Sequence, residues 1–167
     1  MKTIRDLNAP PHAAGRIEAI VVRGSPRDPA RTVERTQALA GIGLADDRLG
    51  RRGEAELSTR QVTLIQAEHL GVIATLARVA QVDPVALRRN LVVSGINLLA
   101  LKNARLRIGE RAVLEIVGPC QPCSRMEEAI GLSGYAAMRG HGGMTARVIE
   151  GGPIVVGDRV AVVPQAA

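Results

Sequence analysis

The sequence predicts a single β-barrel domain that is mainly β, with a few peripheral helices. Short segments rich in β-branched residues recur along the 167 residues, and Gly-containing turns separate them. The regular strand–helix alternation of a layered parallel sheet is absent. A chain of this length can bury roughly 70% of its unfolded surface in one core, so its stability requires neither a disulfide nor a metal.

The N-terminal third predicts two strands and a long loop. Residues 1–15 contain two adjacent prolines and show little periodicity, so we expect a loosely ordered lead-in before a domain that spans 16–167. An alternating β-branched run predicts a strand over 16–22, and a weaker alternation predicts an exposed strand over 32–38. The polar segment 41–53 contains four glycines and three arginines and is expected to be a functional loop.

The rest of the chain predicts one long helix among short elements. A strand over 60–65 leads into a helix over 67–79, where four apolar residues share one face. Asp83 followed by Pro84 is an N-cap with proline at the first helical position, so a short helix starts there and runs to Leu87. Further strands are predicted over 90–93, 105–108, 112–117, 145–149 and 158–163, and short helices over 126–130 and 134–138.

Composition narrows the classes of function. The net charge is +6 and comes almost entirely from arginine. The absence of Phe and Trp removes the stacking platforms of single-strand nucleic-acid binding, and no run of like charges forms a basic arm. We therefore expect a local anion pocket and no nucleic-acid partner. No apolar stretch predicts a signal peptide or a membrane span, so a cytoplasmic location with reduced cysteines is expected.

Cys120 and Cys123 have the spacing Cys-x-x-Cys, which admits four interpretations. A redox pair needs a helix N-terminus in a βαβ unit, whereas here Pro122 separates the cysteines and Gly-Pro precedes them. A zinc half-site needs further ligands, and the three histidines are scattered along the sequence. A third interpretation is two small buried apolar residues. We favour a fourth, a reactive or metal-ligating Cys123, because the nearby Arg125 favours a thiolate.

Six segments, taken in order, carry a family resemblance, namely 41–48, 60–65, 87–96, 107–109, 118–123 and 139–158. They resemble the MOSC domain, the module at the C-terminus of molybdenum-cofactor sulfurases and in the mitochondrial amidoxime reducing component. The resemblance covers about 16–163. The resemblance implies a fold similar to the pyruvate-kinase barrel domain. It also implies one signature cysteine, Cys123, which ligates molybdenum in amidoxime-reducing relatives and is proposed to carry sulfane sulfur in others.

The resemblance also assigns residues to the molybdenum cofactor. Arg88 and Asn90 match the family's Arg-x-Asn, which approaches the pterin. A guanidinium suits a phosphate, and an Asn amide can pair with a pterin edge, although a helix-end cation and a turn asparagine would give the same pattern. Helical spacing points Arg89 away, so we expect it to be solvated. Asp46 stands at a family glycine position before the candidate ligand Arg48, and a positive φ there would be costly.

The remaining candidates lie in loops. Ser58, Thr59 and Arg60 precede a strand and offer hydroxyl and backbone donors to an anion, or form a plain turn. His141 lies in a glycine-rich stretch where backbone N–H groups can approach a ligand, or is a structural histidine. His69, on the predicted helix, is expected to have no chemical role.

Three functions remain. In the first, the Cys123 thiolate ligates the molybdenum of molybdopterin, Arg88 holds its phosphate, and N-hydroxylated small molecules are reduced with electrons from an external reductase. In the second, Cys123 carries a persulfide received from a sulfur donor. The third is a pterin- or anion-binding module without turnover. Pyridoxal phosphate is not expected, because in this family it belongs to a separate aminotransferase-like domain. We expect Cys123 alone of the pair to be required, in one cleft with Arg88. Nothing in the sequence indicates an oligomeric state.

Overall fold

A closed β-barrel forms the centre of the computed structural model, which describes residues 1–4, 7, 14–48 and 58–164. The sheet closes because its first strand, β1 (Ala14–Val22), pairs antiparallel with its last, β11 (Arg159–Val163). The predicted β-barrel is confirmed. The other barrel strands are β5 (Val62–Gln66), β6 (Leu91–Ser94), β7 (Arg105–Ile108), β8 (Ala112–Pro119) and β9 (Met144–Glu150).

The order around the barrel is β1-β6-β5-β9-β8-β7-β11. Neighbouring strands are antiparallel except β5 and β6, which are parallel. Helices α1 (Ala67–Ala77) and α2 (Pro84–Leu87) form the crossover between these two strands, since parallel strands cannot be joined by a tight turn. The parallel pair was not anticipated from the sequence.

A small second sheet lies beside the barrel. The strand predicted over 32–38 is divided at Glu34, because β2 (Arg31–Val33) pairs with β1 whereas β3 (Arg35–Leu39) pairs with β10 (Gly152–Val155). Strand β4 (Gly43–Leu44) completes this sheet within the loop predicted over 41–53, of which residues 49–53 lie outside the described residues. Strand β10 was missed, because its glycine and proline resemble a turn.

Two apolar clusters hold the elements together. The first fills the barrel and includes Leu64, Leu91 and Leu114, each fully buried. The second lies outside the barrel under the helices and includes Ile65 and Leu87. Successive residues of β5 therefore enter different clusters, as side-chain alternation in a strand requires. Both clusters are aliphatic with some methionine.

Helix ends follow the local sequence. The Asp83 side chain accepts a hydrogen bond from the N–H of Val85 at 2.8 Å, which confirms the predicted cap. Helix α1 ends two residues before the predicted end, because Arg78 adopts a left-handed conformation with φ 59°. The short helices α3 (Arg125–Ile130) and α4 (Gly134–Met138) are confirmed. No described helix has the length and apolarity that spanning a membrane requires.

Candidate functional site

An arginine-rich cleft of about 200 Å³ opens beside the ends of β1 and α2. Its floor includes the last residues of β1, and its wall carries side chains from the loop after β4 and from the entry to β5. Four guanidiniums face one carboxylate there, so the cleft carries an excess of positive charge and suits an anion. The charged lining residues are Arg23, Asp47, Arg48, Arg60 and Arg88.

The arginines of the cleft repel one another. Burial is the main cause that lowers the pKa of Arg23. The positive charges of the Arg88, Arg48 and Arg125 guanidiniums lower this pKa further. Asp47 opposes this effect, but one of its carboxylate oxygens already accepts the backbone N–H of Arg23 at 2.8 Å. A bound anion would relieve the remaining repulsion.

Arg88 and Asn90 both line the cleft, but they do different things. Arg88 is exposed and ends α2 in a left-handed conformation, φ 55° and ψ 35°. The Asn90 amide is buried, and its oxygen accepts from the N–H and the hydroxyl of Thr63, both at 3.0 Å. Its nitrogen donates to the carbonyl of Val21 at 3.2 Å. Asn90 therefore braces the cleft floor by joining β5 to β1, and Arg88 presents charge above it.

Arg89 is buried, so the prediction that it is solvated is wrong. Only 7% of this residue is exposed. Its Nε donates to the carbonyl of Gly142 at 2.7 Å, and its Nη1 donates to the carbonyl of Leu87 at 2.9 Å. Helical spacing fails because α2 ends at Leu87 and the left-handed Arg88 redirects the chain.

The two cysteines lie in one turn between β8 and α3, and both thiols are free. Cys120 is half-buried, and its N–H donates to the carbonyl of Gly143 at 2.9 Å, which fixes the turn against the 140–143 loop. Cys123 is exposed, and its carbonyl accepts the N–H of Met126 at 3.0 Å in the first turn of α3. The turn therefore buries one sulfur-bearing residue and displays the other.

Neither cysteine is part of the cleft wall, but a charged residue of that wall acts on Cys120. Burial raises the pKa of the Cys120 thiol, while the Arg89 and Arg60 guanidiniums oppose that rise. Arg60 also lines the cleft. From the other side, Arg125 follows Cys123 by two residues and acts on Arg23 of the cleft. The cleft and the cysteine turn are therefore linked by the electrostatic effects of their arginines.

The other candidates lie outside the cleft wall. The Ser58 hydroxyl accepts the N–H of Arg60 at 3.1 Å and orders the entry to β5, while Thr59 is exposed. The ring of His141 contacts the ring of His69 edge-to-face, with centroids 5.3 Å apart. The Nδ1 atoms of both rings are buried without a hydrogen-bond partner among the described residues. The histidine that was given no role is therefore the partner of the candidate.

Asp46 replaces the family glycine without backbone strain. Its φ is not positive, in contrast to those of Arg78 and Arg88. Its carboxylate accepts the hydroxyl hydrogen of Thr36 at 2.9 Å, which ties the loop to β3. Arg48, two residues later, lines the cleft.

Four polar residues of the cleft were not singled out in the sequence, namely Arg23, Asp47, Gln61 and Thr63. A signal existed for Arg23, since it is a charged residue that directly follows the buried end of β1. Thr63 carries no such signal, because its role depends on a contact with a residue 27 positions away. Within the described residues, no group of three or more His, Cys, Asp or Glu side chains is arranged to hold a metal ion.

Comparison with known proteins identifies relatives of this architecture. The family model of the MOSC domain matches residues 41–161. The YuaD protein from Bacillus subtilis superposes with a TM-score of 0.78 at 19% identity, over 92% of this chain and 97% of that one. YiiM from Geobacillus stearothermophilus superposes with a TM-score of 0.70 at 18% identity, over 90% of this chain and 76% of that one. YiiM from Escherichia coli superposes with a TM-score of 0.64 at 20% identity, over 91% of this chain and 71% of that one. No curated protein matches the chain.

Proposed function

This chain belongs to the MOSC domain family, which is associated with the molybdenum cofactor, and from that premise we propose that it binds this cofactor through Cys123 and the arginine cleft. The observation that carries the proposal is the surplus of guanidinium charge beside an exposed thiol. A phosphorylated pterin that holds a thiophilic metal needs both features.

The residues fit the cofactor in two separate ways. Arg88, Arg48 and Arg60 offer charge-assisted hydrogen bonds to the phosphate. Burial and then crowded positive charge lower the pKa of Arg23, and an anion would neutralise that crowding. A cleft of about 200 Å³ is small for a whole pterin, so we assign it to the phosphate end. Cys123 is exposed on the adjacent turn and would supply a thiolate ligand to molybdenum.

The reaction that we propose is the reduction of N-hydroxylated small molecules. The cofactor supplies the redox chemistry, and the protein binds and orients it. Two electrons and two protons convert an N–OH group into N–H and water, and an external reductase would supply the electrons.

Metal and pterin analysis of protein produced in a host that makes molybdopterin tests the proposal. We expect the wild-type protein to contain molybdenum and pterin together. Cys123→Ser should retain less molybdenum and less pterin, in an unchanged ratio to each other, because the pterin carries the metal and the cofactor loses one of its protein ligands. Ser124→Ala is the matched control, since it changes the neighbouring exposed side chain, which makes no capping hydrogen bond, and leaves both thiols in place. Folded wild-type protein from this host without molybdenum or pterin would refute the proposal.

A second candidate, a persulfide carrier, is favoured by the exposure of Cys123 near Arg125. An exposed thiolate near a cation is a nucleophile toward sulfane sulfur. Intact mass spectrometry separates the two functions. One additional sulfur atom on Cys123 in metal-free protein, removable by a reducing thiol, supports the carrier. Molybdenum with an unmodified Cys123 supports the cofactor.

A further inference from the structure

A buried cation with an unused hydrogen-bond donor lies behind the cysteine turn. Two nitrogens of the Arg89 guanidinium donate to the carbonyls of Gly142 and Leu87. The third, Nη2, is buried and has no hydrogen-bond partner among the described residues. Burying a charged donor without a partner is costly, and such a group usually marks a missing ligand or a functional role.

Gly142 lies between this cation and Cys120. A Cβ atom placed on Gly142 would be 2.6 Å from the carbonyl oxygen of Cys120 and 3.6 Å from Nη2 of Arg89. The absence of a side chain therefore lets the guanidinium approach the cysteine turn. Among the charged groups that act on Cys120, Arg89 is the strongest, followed by Arg60. Burial remains the larger influence and raises the pKa of this thiol, Cys123 adds to the rise, and the two cations oppose it.

We propose that Cys120 is a second functional thiol of the site and that Arg89 is the positioning residue that supplies its counter-charge. In the free protein Cys120 remains a thiol, because burial raises its pKa. When a soft metal ion is held at Cys123, the Cys120 thiol gives its proton to solvent and binds the same ion as a thiolate, and Arg89 balances the added negative charge. This inference goes beyond the proposed function, which uses Cys123 alone, and it also revises the expectation that Cys120 is dispensable.

A purely structural role of Arg89 makes the opposite prediction. The bonds to Gly142 and Leu87 already join the 140–143 loop to the end of α2. If that were the whole role, removing Arg89 would loosen the loop and make Cys120 more accessible. Access changes the rate of thiol modification at every pH equally, whereas a lost counter-charge moves the midpoint of the pH profile.

The experiment follows alkylation of Cys120 by iodoacetamide against pH, in a Cys123→Ser background. Arg89→Gln should move the midpoint to higher pH and slow the reaction at neutral pH about tenfold. Arg89→Lys, which keeps the charge, should restore the midpoint. Arg88→Gln is the matched control, because this adjacent arginine is not among the charges acting on Cys120, and its midpoint should not move. Faster alkylation in Arg89→Gln with an unchanged midpoint would overturn the proposal.

Binding of Cd²⁺ alone gives a second measurement that needs no change at Arg89. If Arg89→Gln does not fold by circular dichroism, this measurement decides. Cys120→Ser should bind Cd²⁺ at least about tenfold more weakly than the wild type, because one thiolate is lost. Equal affinity would overturn the proposal. Neither readout uses molybdenum, so failure here is distinguishable from failure of the proposed function.

Discussion

Arg88→Ala and Arg78→Ala form a matched pair of substitutions that tests the arginine cleft. Both arginines are exposed and follow the last residue of a helix. Both are left-handed, with φ 55° and ψ 35° at Arg88 and φ 59° and ψ 39° at Arg78. Only Arg88 lines the cleft. The backbone cost of alanine in this conformation is therefore common to both variants, and the difference between them reports the guanidinium.

The expected magnitude follows from the strength of a charge-assisted hydrogen bond. Each contributes about 1.5–3 kcal/mol, and every 1.4 kcal/mol changes a dissociation constant tenfold. Arg88→Ala should therefore weaken retention of the pterin by roughly ten- to a hundredfold, while Arg78→Ala stays within about twofold. In the ligand-free protein, the loss of Arg88 should be favourable, and the quantity to compare is thermal stability. Removing Arg88 relieves repulsion on Arg23, so the ligand-free Arg88→Ala variant should be more stable than Arg78→Ala.

The assay combines pterin and molybdenum content with thermal unfolding in phosphate-free buffer. Calorimetric titration with inorganic pyrophosphate at low ionic strength adds a readout that needs no cofactor. Wild-type affinity for pterin in Arg88→Ala, or an equal loss in both variants, would refute the reasoning. Arg88 would then be a helix-end cation, and Asn90 only a brace.

Two further predictions concern stability. Burial lowers the pKa of His69, so just below pH 6.5 the unfolded chain binds more protons than the folded protein. The free energy of unfolding should therefore fall as the pH drops through that window. In urea titrations, His69→Gln should make this fall smaller. Gly143→Ala, at φ +91°, would press a methyl group against the carbonyl of Leu64 and should lower the free energy of unfolding by about 3–5 kcal/mol. Gly140→Ala, at φ +81° in open space, should lower it by only about 1–2 kcal/mol. Equal denaturation midpoints of the two variants would contradict this.

Local patterns predicted the individual elements but not their arrangement. Alternation and β-branching identify β1 and β5 because each strand buries alternate residues in the barrel. The pairing that closes the barrel aligns Ala14 with Ala161, and no short-range pattern encodes a contact so distant in sequence. The parallel β5–β6 pair was missed for the same reason, since its register depends on the crossover.

The candidate site shows the same division. Arg48, Arg60, Arg88 and Asn90 were identified from motifs, and all four line the cleft. Arg89 was misplaced because one left-handed residue changes the direction of the chain, and a residue at φ > 0 other than glycine or asparagine has little signature in sequence.

Like charges in the cleft stay close because the barrel fixes the backbones that carry them. Arg23 follows the last residue of β1, and the Asn90 amide joins that strand to Thr63 of β5. Mutual repulsion of the guanidiniums therefore cannot be relieved by separating the strands without breaking buried hydrogen bonds and opening an aliphatic core. The repulsion persists in the ligand-free protein, and a bound anion would reduce it. The stable fold therefore holds the cations in a preorganised arrangement that favours an anion. For this reason we place the phosphate of the cofactor there.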